Sequence, residues 1–221
     1  MESVSITEEN YLKAIFKISE TEGDPVRNKA ISEAMETTAA SVTDMLRRLK
    51  DNGLIHYESR KGVTLTQIGK KIAVTLIRKH RLWEVFLMEK LHFSWDEVHN
   101  IAEELEHINS SELVDRLDKF LGHPKFDPHG DPIPDAEGNF TQRQQILLSE
   151  LEIGKTAVLV GVQEHSSAFL QYLDRLQLAL GTKLKMLEKF EYDESVKVQL
   201  ESTQELLLTD KVCQNLFVKI G

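Results

Sequence analysis

The stretch AASVTDMLRRLKDNGLIHYESRKGVTLT, residues 39–66, combines the signals of a helix, a helix end and a β-hairpin. Its first half places apolar residues at the spacing of one helical face. Asn52-Gly53 predicts the end of that helix, because glycine favours the backbone conformation found just past a helix end. Two short strands, LIHYES and VTLT, then flank Arg60-Lys61-Gly62, which predicts a hairpin with a basic tip.

The residues before this stretch predict two more helices. We expect the first to begin with Thr7 as its cap and to end at the turn signal near Gly23. A short helix at 27–35 and a turn at 36–38 then lead into the helix at 39–51. Helix, short helix, turn, helix and basic hairpin follow one another in the order of a winged helix-turn-helix.

This N-terminal segment also has the charge that a DNA-binding element needs. The chain has a formal net charge of −9, yet residues 27–81 hold twelve Lys or Arg against five Asp or Glu. Small polar residues at the start of the recognition helix allow close approach to base edges, and basic residues suit phosphate. The candidate contacts to double-stranded DNA are Thr38, Ala39, Ala40, Ser41, Thr43, Arg47, Arg48, Arg60 and Lys61. A winged-helix module that binds another protein through a solvated basic face is the alternative.

The rest of the chain predicts a helical middle and a small β-rich end. A long helix is expected at about 67–91, followed by two helices near 94–108 and 110–121. Residues 123–139 hold four of the five prolines and predict a loop. Short strands are expected at 157–162, 183–187, 196–200 and 205–208, with a helix at 168–178 between the first two.

The sequence predicts a cytoplasmic protein without membrane contact. The N-terminus has no signal-peptide pattern, and no apolar run approaches the ~18 residues of a membrane span. Cys213 is the only cysteine of the 221 residues, so an intrachain disulfide is impossible. A reducing compartment fits this cysteine usage.

Residues 99–107, HNIAEELEH, hold two histidines and three glutamates without a lysine or arginine. On a helical wheel at ~100° per residue, His99, Glu103, Glu106 and His107 share one face. On the preceding predicted helix, His80 and Glu84 are four residues apart and therefore also share one face. Such a nitrogen and oxygen ligand set suits Mn(II) or Fe(II), and also admits Zn, Co or Ni. A solvated acidic helix face is the alternative for any one of these residues.

Several motifs together resemble the diphtheria toxin repressor family of metal-dependent regulators, nearer its manganese-responsive branch. They are TEENYLKAIFKI, SVTDMLRRLKDNGLI, LTQIGKKIA, RKHRLWEVFL, VHNIAEELEHI and HPKFDPHGDPIP. The resemblance covers essentially the whole chain. It implies a mainly α fold of three domains: a winged helix-turn-helix at 1–66, a helical metal-binding and dimerisation domain at 67–140, and a small SH3-like β domain of the FeoA type at 141–221.

The resemblance also implies two metal sites. Glu103, Glu106 and His107 match the primary site, to which Asn10 of the first helix contributes in place of the usual Asp or Met. Glu103 stands where iron-type members have a softer Cys ligand, which favours Mn(II). The second, ancillary site takes the remaining matches. They are His80, Glu84, His99, Asp127, His129 and a residue of the last domain, Glu164, with His165 as the alternative.

We therefore expect a homodimeric repressor that senses Mn(II) or Fe(II) and then binds a palindromic operator. In this way it would control metal-uptake genes. The repression of uptake genes follows from the resemblance alone. A winged-helix regulator that senses a non-metal signal is one alternative, and a di-metal enzyme is another. The sequence contains no candidate nucleophile and no substrate-pocket motif, so we expect a regulator and not an enzyme.

Overall fold

A computed structural model of the protein describes residues 4–58 and 60–221. The chain forms two compact units. Unit 1 comprises Met1–His80, Leu105–Ser110 and Pro134–Phe140, and unit 2 comprises Arg81–Glu104, Ser111–Ile133 and Thr141–Gly221. No helix among the described residues is long and apolar enough to cross a membrane.

Unit 1 contains the predicted winged helix-turn-helix. Its elements are α1 (Ile6–Glu22), α2 (Asn28–Ala34), α3 (Ala39–Asp51), β1 (Ile55–Glu58), β2 (Gly62–Leu65) and the first part of α4 (Gln67–Leu91). The two strands are antiparallel, with Ile55 opposite Leu65. Ser59, which belongs to the predicted hairpin, lies outside the described residues. The core is formed by fully buried side chains from all three helices and the hairpin, among them Leu12, Ile31 and Leu46.

Helix caps explain where α1 and α3 begin. The prediction of Thr7 as the first cap was wrong, because Ser5 caps α1 and Thr7 lies inside its first turn. Ser5 and Glu8 form a capping box, in which each side chain accepts from the other residue's backbone N–H. The helix at 39–51 begins and ends as predicted, with the Thr38 hydroxyl accepting from Ser41 N at 3.2 Å.

The helices of unit 2 that precede its sheet are the rest of α4, α5 (Val98–Leu105, of which Leu105 falls in unit 1) and α6 (Ser111–Phe120). The helix predicted near 94–108 is shorter at both ends. Before it, the Ser94 backbone N–H and hydroxyl donate to Glu97 Oε2 at 2.9 and 2.7 Å, which closes a separate turn. After it, Glu106 and His107 lie in a turn and not on the helix. A helical wheel therefore does not describe the directions of these two side chains.

Unit 2 also contains a six-stranded antiparallel sheet with the order β3-β8-β4-β5-β6-β7. Its elements are β3 (Ile146–Leu147), β4 (Thr156–Val162), α7 (Ser167–Arg175), β5 (Lys183–Lys189), β6 (Val196–Leu200), β7 (Glu205–Leu208), α8 (Asp210–Cys213) and β8 (Leu216–Ile220). All four predicted strands are present, whereas β3 and β8 were not predicted. Trp95 packs into the core of this sheet, so residues just after α4 and the sheet share apolar packing.

Candidate metal centres and nucleic-acid interface

In unit 1 a buried carboxylate, Glu106, receives three hydrogen bonds from two basic side chains. The Lys13 ammonium donates to Oε1 and Oε2 at 2.8 and 2.7 Å, and His80 Nδ1 lies 2.6 Å from Oε2. Burial raises the pKa of Glu106, but the His80 hydrogen bond and the Lys13 charge outweigh it and leave the pKa lowered. Glu106 is therefore an ionised carboxylate, which is the form that binds a cation.

The imidazole of His107 lies beside this carboxylate. His107 Nδ1 is 2.6 Å from Glu9 Oε2, and His107 Nε2 is 3.7 Å from Glu106 Oε1. An Nδ1–H donated to Glu9 leaves a lone pair on Nε2, on the side of Glu106. Metal-binding histidines are oriented in this way by a carboxylate on their other ring nitrogen. Glu106 and His107 thus fit a divalent cation by their donor chemistry.

The other predicted primary ligands are more exposed. Asn10 is half-buried on α1, one residue after Glu9, and its role as a ligand stays a prediction. Glu103 is exposed on α5, and its Oε1 lies 3.7 Å from His99 Nε2. The assignment of Asn10 and Glu103 to the primary site therefore stays a prediction.

Unit 2 brings together three residues that were predicted for the ancillary site. Glu84, Asp127 and His129 are buried, and one possible ligand atom of each lies within 4.8 Å of the others. His129 Nε2 is 2.8 Å from the Trp95 carbonyl oxygen, to which it donates, so Nδ1 faces Glu84 Oε1 at 3.7 Å. His99 Nδ1 lies 3.3 Å from the same Glu84 oxygen. This cluster of buried oxygen and nitrogen donors also fits a divalent cation.

Burial and neighbouring charges shift the pKa values of Asp127 and His129. Burial, followed by the nearby charge of Glu84, raises the pKa of Asp127. Burial disfavours the charged form of His129, but the hydrogen bond and charge of Glu84 outweigh it and raise the pKa of the imidazole. A protonated His129 therefore offsets carboxylate charge here, and a metal ion held by Nδ1 would have to displace its proton.

The loop that carries Asp127 and His129 is held by its own hydrogen bonds and by Arg81. Asp127 Oδ1 accepts from the backbone N–H groups of His129 and Asp131, both at 2.9 Å. Arg81 donates to Asp131 Oδ2 at 2.9 Å and lies 3.5 Å from Asp127 Oδ2. Oδ1 of Asp127 thus stabilises the loop by accepting two backbone hydrogen bonds. Oδ2 of Asp127 faces the Arg81 guanidinium.

Gly130 allows this loop to approach strand β4. Its φ is +91°, and a Cβ there would clash with the backbone of Val160 and Gly161. The close approach lets Val162 N donate to the His129 carbonyl oxygen at 2.9 Å. The position of His129 is therefore set by β4 as well as by the loop.

The predicted ligand from the last domain has two candidates, which the structure places differently. Glu164 is exposed, and its Oε1 accepts from Ser166 N at 2.8 Å next to the start of α7. The ring of His165 stacks on that of His129 with centroids 4.8 Å apart. His165, the alternative candidate, is thus the one in contact with the cluster.

On the DNA-binding face, the start of α3 is exposed as predicted for a recognition helix. Thr38, Ala39, Ala40 and Ser41 are exposed, and Thr43 is half-buried with its hydroxyl donating to the Ala39 carbonyl oxygen. These small side chains leave room for close approach of a nucleic acid.

The predicted basic contacts on this face are exposed but not equivalent. Arg47 Nη1 lies 3.2 Å from Asp44 Oδ1, and Lys61 Nζ lies 2.8 Å from Glu58 Oε2. Arg48 Nε is 3.0 Å from Glu8 Oε1, whose side chain is buried, so Arg48 joins α3 to α1. Arg60 is exposed at the wing tip.

Sequence reasoning missed four residues around the two clusters: Glu9, Lys13, Arg81 and Trp95. Glu9 and Lys13 are four residues apart, which places both on one face of α1, and this spacing was a usable signal. Arg81 contacts Asp131 of the loop, and the Trp95 carbonyl oxygen contacts His129. The two residues of each pair are more than thirty positions apart in the sequence, so no local pattern marks these contacts.

A winged helix-turn-helix together with buried carboxylate and imidazole clusters defines a metal-responsive DNA-binding regulator. The chain belongs to the iron-dependent repressor family. Sequence models for the N-terminal DNA-binding domain and for the metal-binding and dimerisation domain of that family match residues 4–63 and 66–135. A model of the FeoA domain matches residues 146–220.

Individual relatives support this assignment. The iron-dependent repressor IdeR of Mycobacterium tuberculosis is 30% identical over 180 residues, which cover 77% of this chain and 78% of IdeR. The diphtheria toxin repressor of Corynebacterium jeikeium is 26% identical over 216 residues, covering 97% and 80%. A solved manganese-dependent transcriptional repressor in complex with manganese is 31% identical. It has a TM-score of 0.85 and covers 97% of this chain and 100% of its own.

Proposed function

We propose that this protein is a homodimeric transcriptional repressor that binds a palindromic operator in response to Mn(II) or Fe(II) and controls metal-uptake genes. The observation that supports this most directly lies within unit 1. The buried carboxylate of Glu106 is hydrogen-bonded to Lys13 of α1, a helix of the winged helix-turn-helix. A metal-binding group is thus joined directly to the DNA-binding element. The similar proteins named as iron-dependent or manganese-dependent repressors support the same function.

The proposed primary site consists of Glu106 and His107 together with Glu103 and Asn10, and the proposed ancillary site of Glu84, His99, Asp127 and His129. The family resemblance assigned His80 to the ancillary site, and its hydrogen bond to Glu106 supports a role at the primary site as well. His165 is favoured over Glu164 by its contact with His129. The proposed domain limits remain 1–66, 67–140 and 141–221.

The ligand set favours hard divalent ions. All of the proposed ligand atoms are oxygen or imidazole nitrogen, and the lone thiol, Cys213, is buried in the core of the sheet. Carboxylate-rich sites suit Mn(II) and Fe(II), whereas thiolate ligands favour softer ions. Mn(II) is our first choice because Glu103 supplies a carboxylate to the proposed primary site.

The mechanism follows from the contacts of α1. Glu106 and His107 would hold the divalent ion, which would supply positive charge at a buried carboxylate. Glu9 orients His107, and Leu12 shares a core with Leu46 of α3. Glu8 adds an ion pair to Arg48 of α3. A change at Glu106 or His107 is therefore transmitted through α1 to the recognition helix, and one position of that helix fits the major groove.

The test is a gel-shift titration of operator DNA with Mn(II), Fe(II) or Zn(II), each with and without chelator. We expect binding only with metal, and we expect Glu106→Gln to need a much higher Mn(II) concentration. Glu104→Gln is the matched control, since Glu104 is exposed two residues earlier. Equal DNA binding with and without chelator would refute the metal switch.

A further inference from the structure

Lys13 is a buried lysine at the centre of the unit 1 cluster. Its side chain is 7% exposed and that of Glu106 is 1% exposed, so the ion pair between them is largely removed from water. Lysine side chains are rarely buried unless they are paired. Neighbouring positions of α1, Tyr11 and Leu12, are buried in the apolar core. The ammonium is thus held in place by packing as well as by charge.

The ammonium takes the position on Glu106 that a chelated cation would take. Its Nζ lies 2.8 Å from Oε1 and 2.7 Å from Oε2, nearly equidistant from the two oxygens. A divalent ion bound by both oxygens of a carboxylate sits in the same place, between them. The two cations therefore compete for one carboxylate face, and Lys13 must release at least one oxygen when a metal ion binds there.

We propose that Lys13 is an affinity-determining residue of the Glu106 site: its ammonium is an internal cation, and metal binding exchanges it for a divalent ion. This inference rests on the proposed function, in which Glu106 is a metal ligand. The exchange lowers the affinity for metal, because each binding event must break a buried ion pair. The protein then needs a higher concentration of metal to respond.

The exchange also concerns the DNA-binding element, because Lys13 belongs to α1. The ion pair holds α1 against the turn that contains Glu106. Loss of that ion pair frees α1 from one contact at the moment when the site takes up its ion. Lys13 thus stabilises this position of α1 through an ion pair that a metal ion at Glu106 would disrupt.

The substitution Lys13→Met tests this role, since it keeps an unbranched side chain that is only one atom shorter and removes the ammonium. A cation next to a carboxylate weakens its binding of a proton by about tenfold or more, and it acts on a divalent ion in the same sense. We expect Lys13→Met to bind Mn(II) at least about tenfold more tightly by calorimetry. We also expect a lower melting temperature without metal and a larger rise on adding Mn(II). A purely structural lysine would lower stability without tightening metal binding.

Two further variants keep the test decisive. Lys17→Met removes the same charge from an exposed position of α1, one turn further along, and should leave the Mn(II) affinity within about twofold of the wild type, as expected for an exposed charge. Lys13→Gln replaces Lys13→Met if the latter fails to fold, and it should also tighten Mn(II) binding. Unchanged or weaker Mn(II) binding by the folded Lys13 variant overturns the inference.

Glu106→Gln separates failure of this inference from failure of the proposed function. If Glu106→Gln weakens Mn(II) binding but the Lys13 variants do not tighten it, only the role of Lys13 is wrong. If Glu106→Gln binds Mn(II) as the wild type does, Glu106 is not a ligand. That result overturns both the proposed site and the exchange at Lys13.

Discussion

Single side chains in the two clusters owe their state to partners that are distant in the sequence. Glu106 stays ionised although it is buried, because Lys13, 93 residues away, and His80 compensate the loss of solvation. His107 takes its orientation from Glu9, 98 residues away. The chemistry of each ligand is therefore set by a second group that holds it, as is common around metal sites.

Glu9→Gln tests the orientation of His107. The amide is a weaker acceptor than the carboxylate for the imidazole Nδ1–H, so the variant should bind Mn(II) roughly ten- to a hundredfold more weakly. Calorimetry on the full chain measures this. Glu20→Gln, an exposed change on the same helix, is the control and should bind as the wild type does. Equal affinities of both variants would mean that the contact between Glu9 and His107 is incidental.

The unit 2 cluster should bind metal more tightly as the pH rises from 6 to 8. Burial and Glu84 raise the pKa of Asp127, and Glu84 and Asp127 raise that of His129, so both groups hold protons that a metal ion must displace. Trp95, stacked 6.4 Å from the His129 ring, reports binding through fluorescence quenching by Mn(II) in a Trp83→Phe background. His129→Gln should lose most of the quenching. An affinity independent of pH would contradict the proton displacement.

At the scale of elements, local signals explain the helices and non-local packing explains the loop. The capping residues Ser5 and Thr38 begin α1 and α3, and Asn52-Gly53 ends α3. The loop that carries Asp127 and His129 has no regular structure of its own beyond a bridge between Phe126 and Pro132. Its conformation depends on strand β4, against which Gly130 packs.

Gly130→Ala should destabilise the protein more than Gly154→Ala. Both glycines have positive φ, but a Cβ at Gly154 meets nothing within 4 Å, whereas one at Gly130 meets the backbone of β4. Gly154→Ala should cost about 1–2 kcal/mol for the backbone conformation alone. Gly130→Ala should cost about 1–3 kcal/mol more because the loop must shift. Urea unfolding measures the difference, and equal costs would mean that the loop moves freely away from β4.

At the scale of the whole molecule, charge is divided between a basic segment and an acidic remainder. Residues 27–81 carry seven net positive charges, although the chain as a whole carries −9. A local excess of positive charge directs the binding of a polyanion even when the net charge is negative. The basic residues of this segment include the exposed tip of the wing, Arg60-Lys61.

Salt dependence tests the contribution of the wing to DNA binding. If Arg60 contacts a phosphate, Arg60→Ala should reduce the slope of log K against log salt by about 0.9 in magnitude per subunit, or about 1.8 for the proposed homodimer. The effect should be similar on operator and non-specific DNA, because phosphate contacts do not read bases. Lys185→Ala, an exposed change in β5 of unit 2, is the control and should leave the slope unchanged. An unchanged slope for Arg60→Ala would exclude that contact.

Short-range patterns in the sequence sufficed for the winged helix-turn-helix, for α4 and for four of the six strands in the sheet. Apolar periodicity, caps and turn residues act over a few positions, so they are visible in the chain itself. The short β3 and the C-terminal β8 escaped prediction. Ile146–Leu147 is too brief for a period, and β8 ends in two exposed residues, Lys219 and Ile220.

The sequence also supplied the residue types of the candidate ligands, some through the spacing of carboxylates and imidazoles on a predicted helix and the others through the resemblance to the repressor family. Their partners became known only from the tertiary structure. Lys13 on Glu106, Glu9 on His107 and the Trp95 carbonyl on His129 all join residues far apart in the chain. Burial and the neighbouring charge set the protonation and orientation of a ligand, and both are properties of the packed molecule that no stretch of sequence contains.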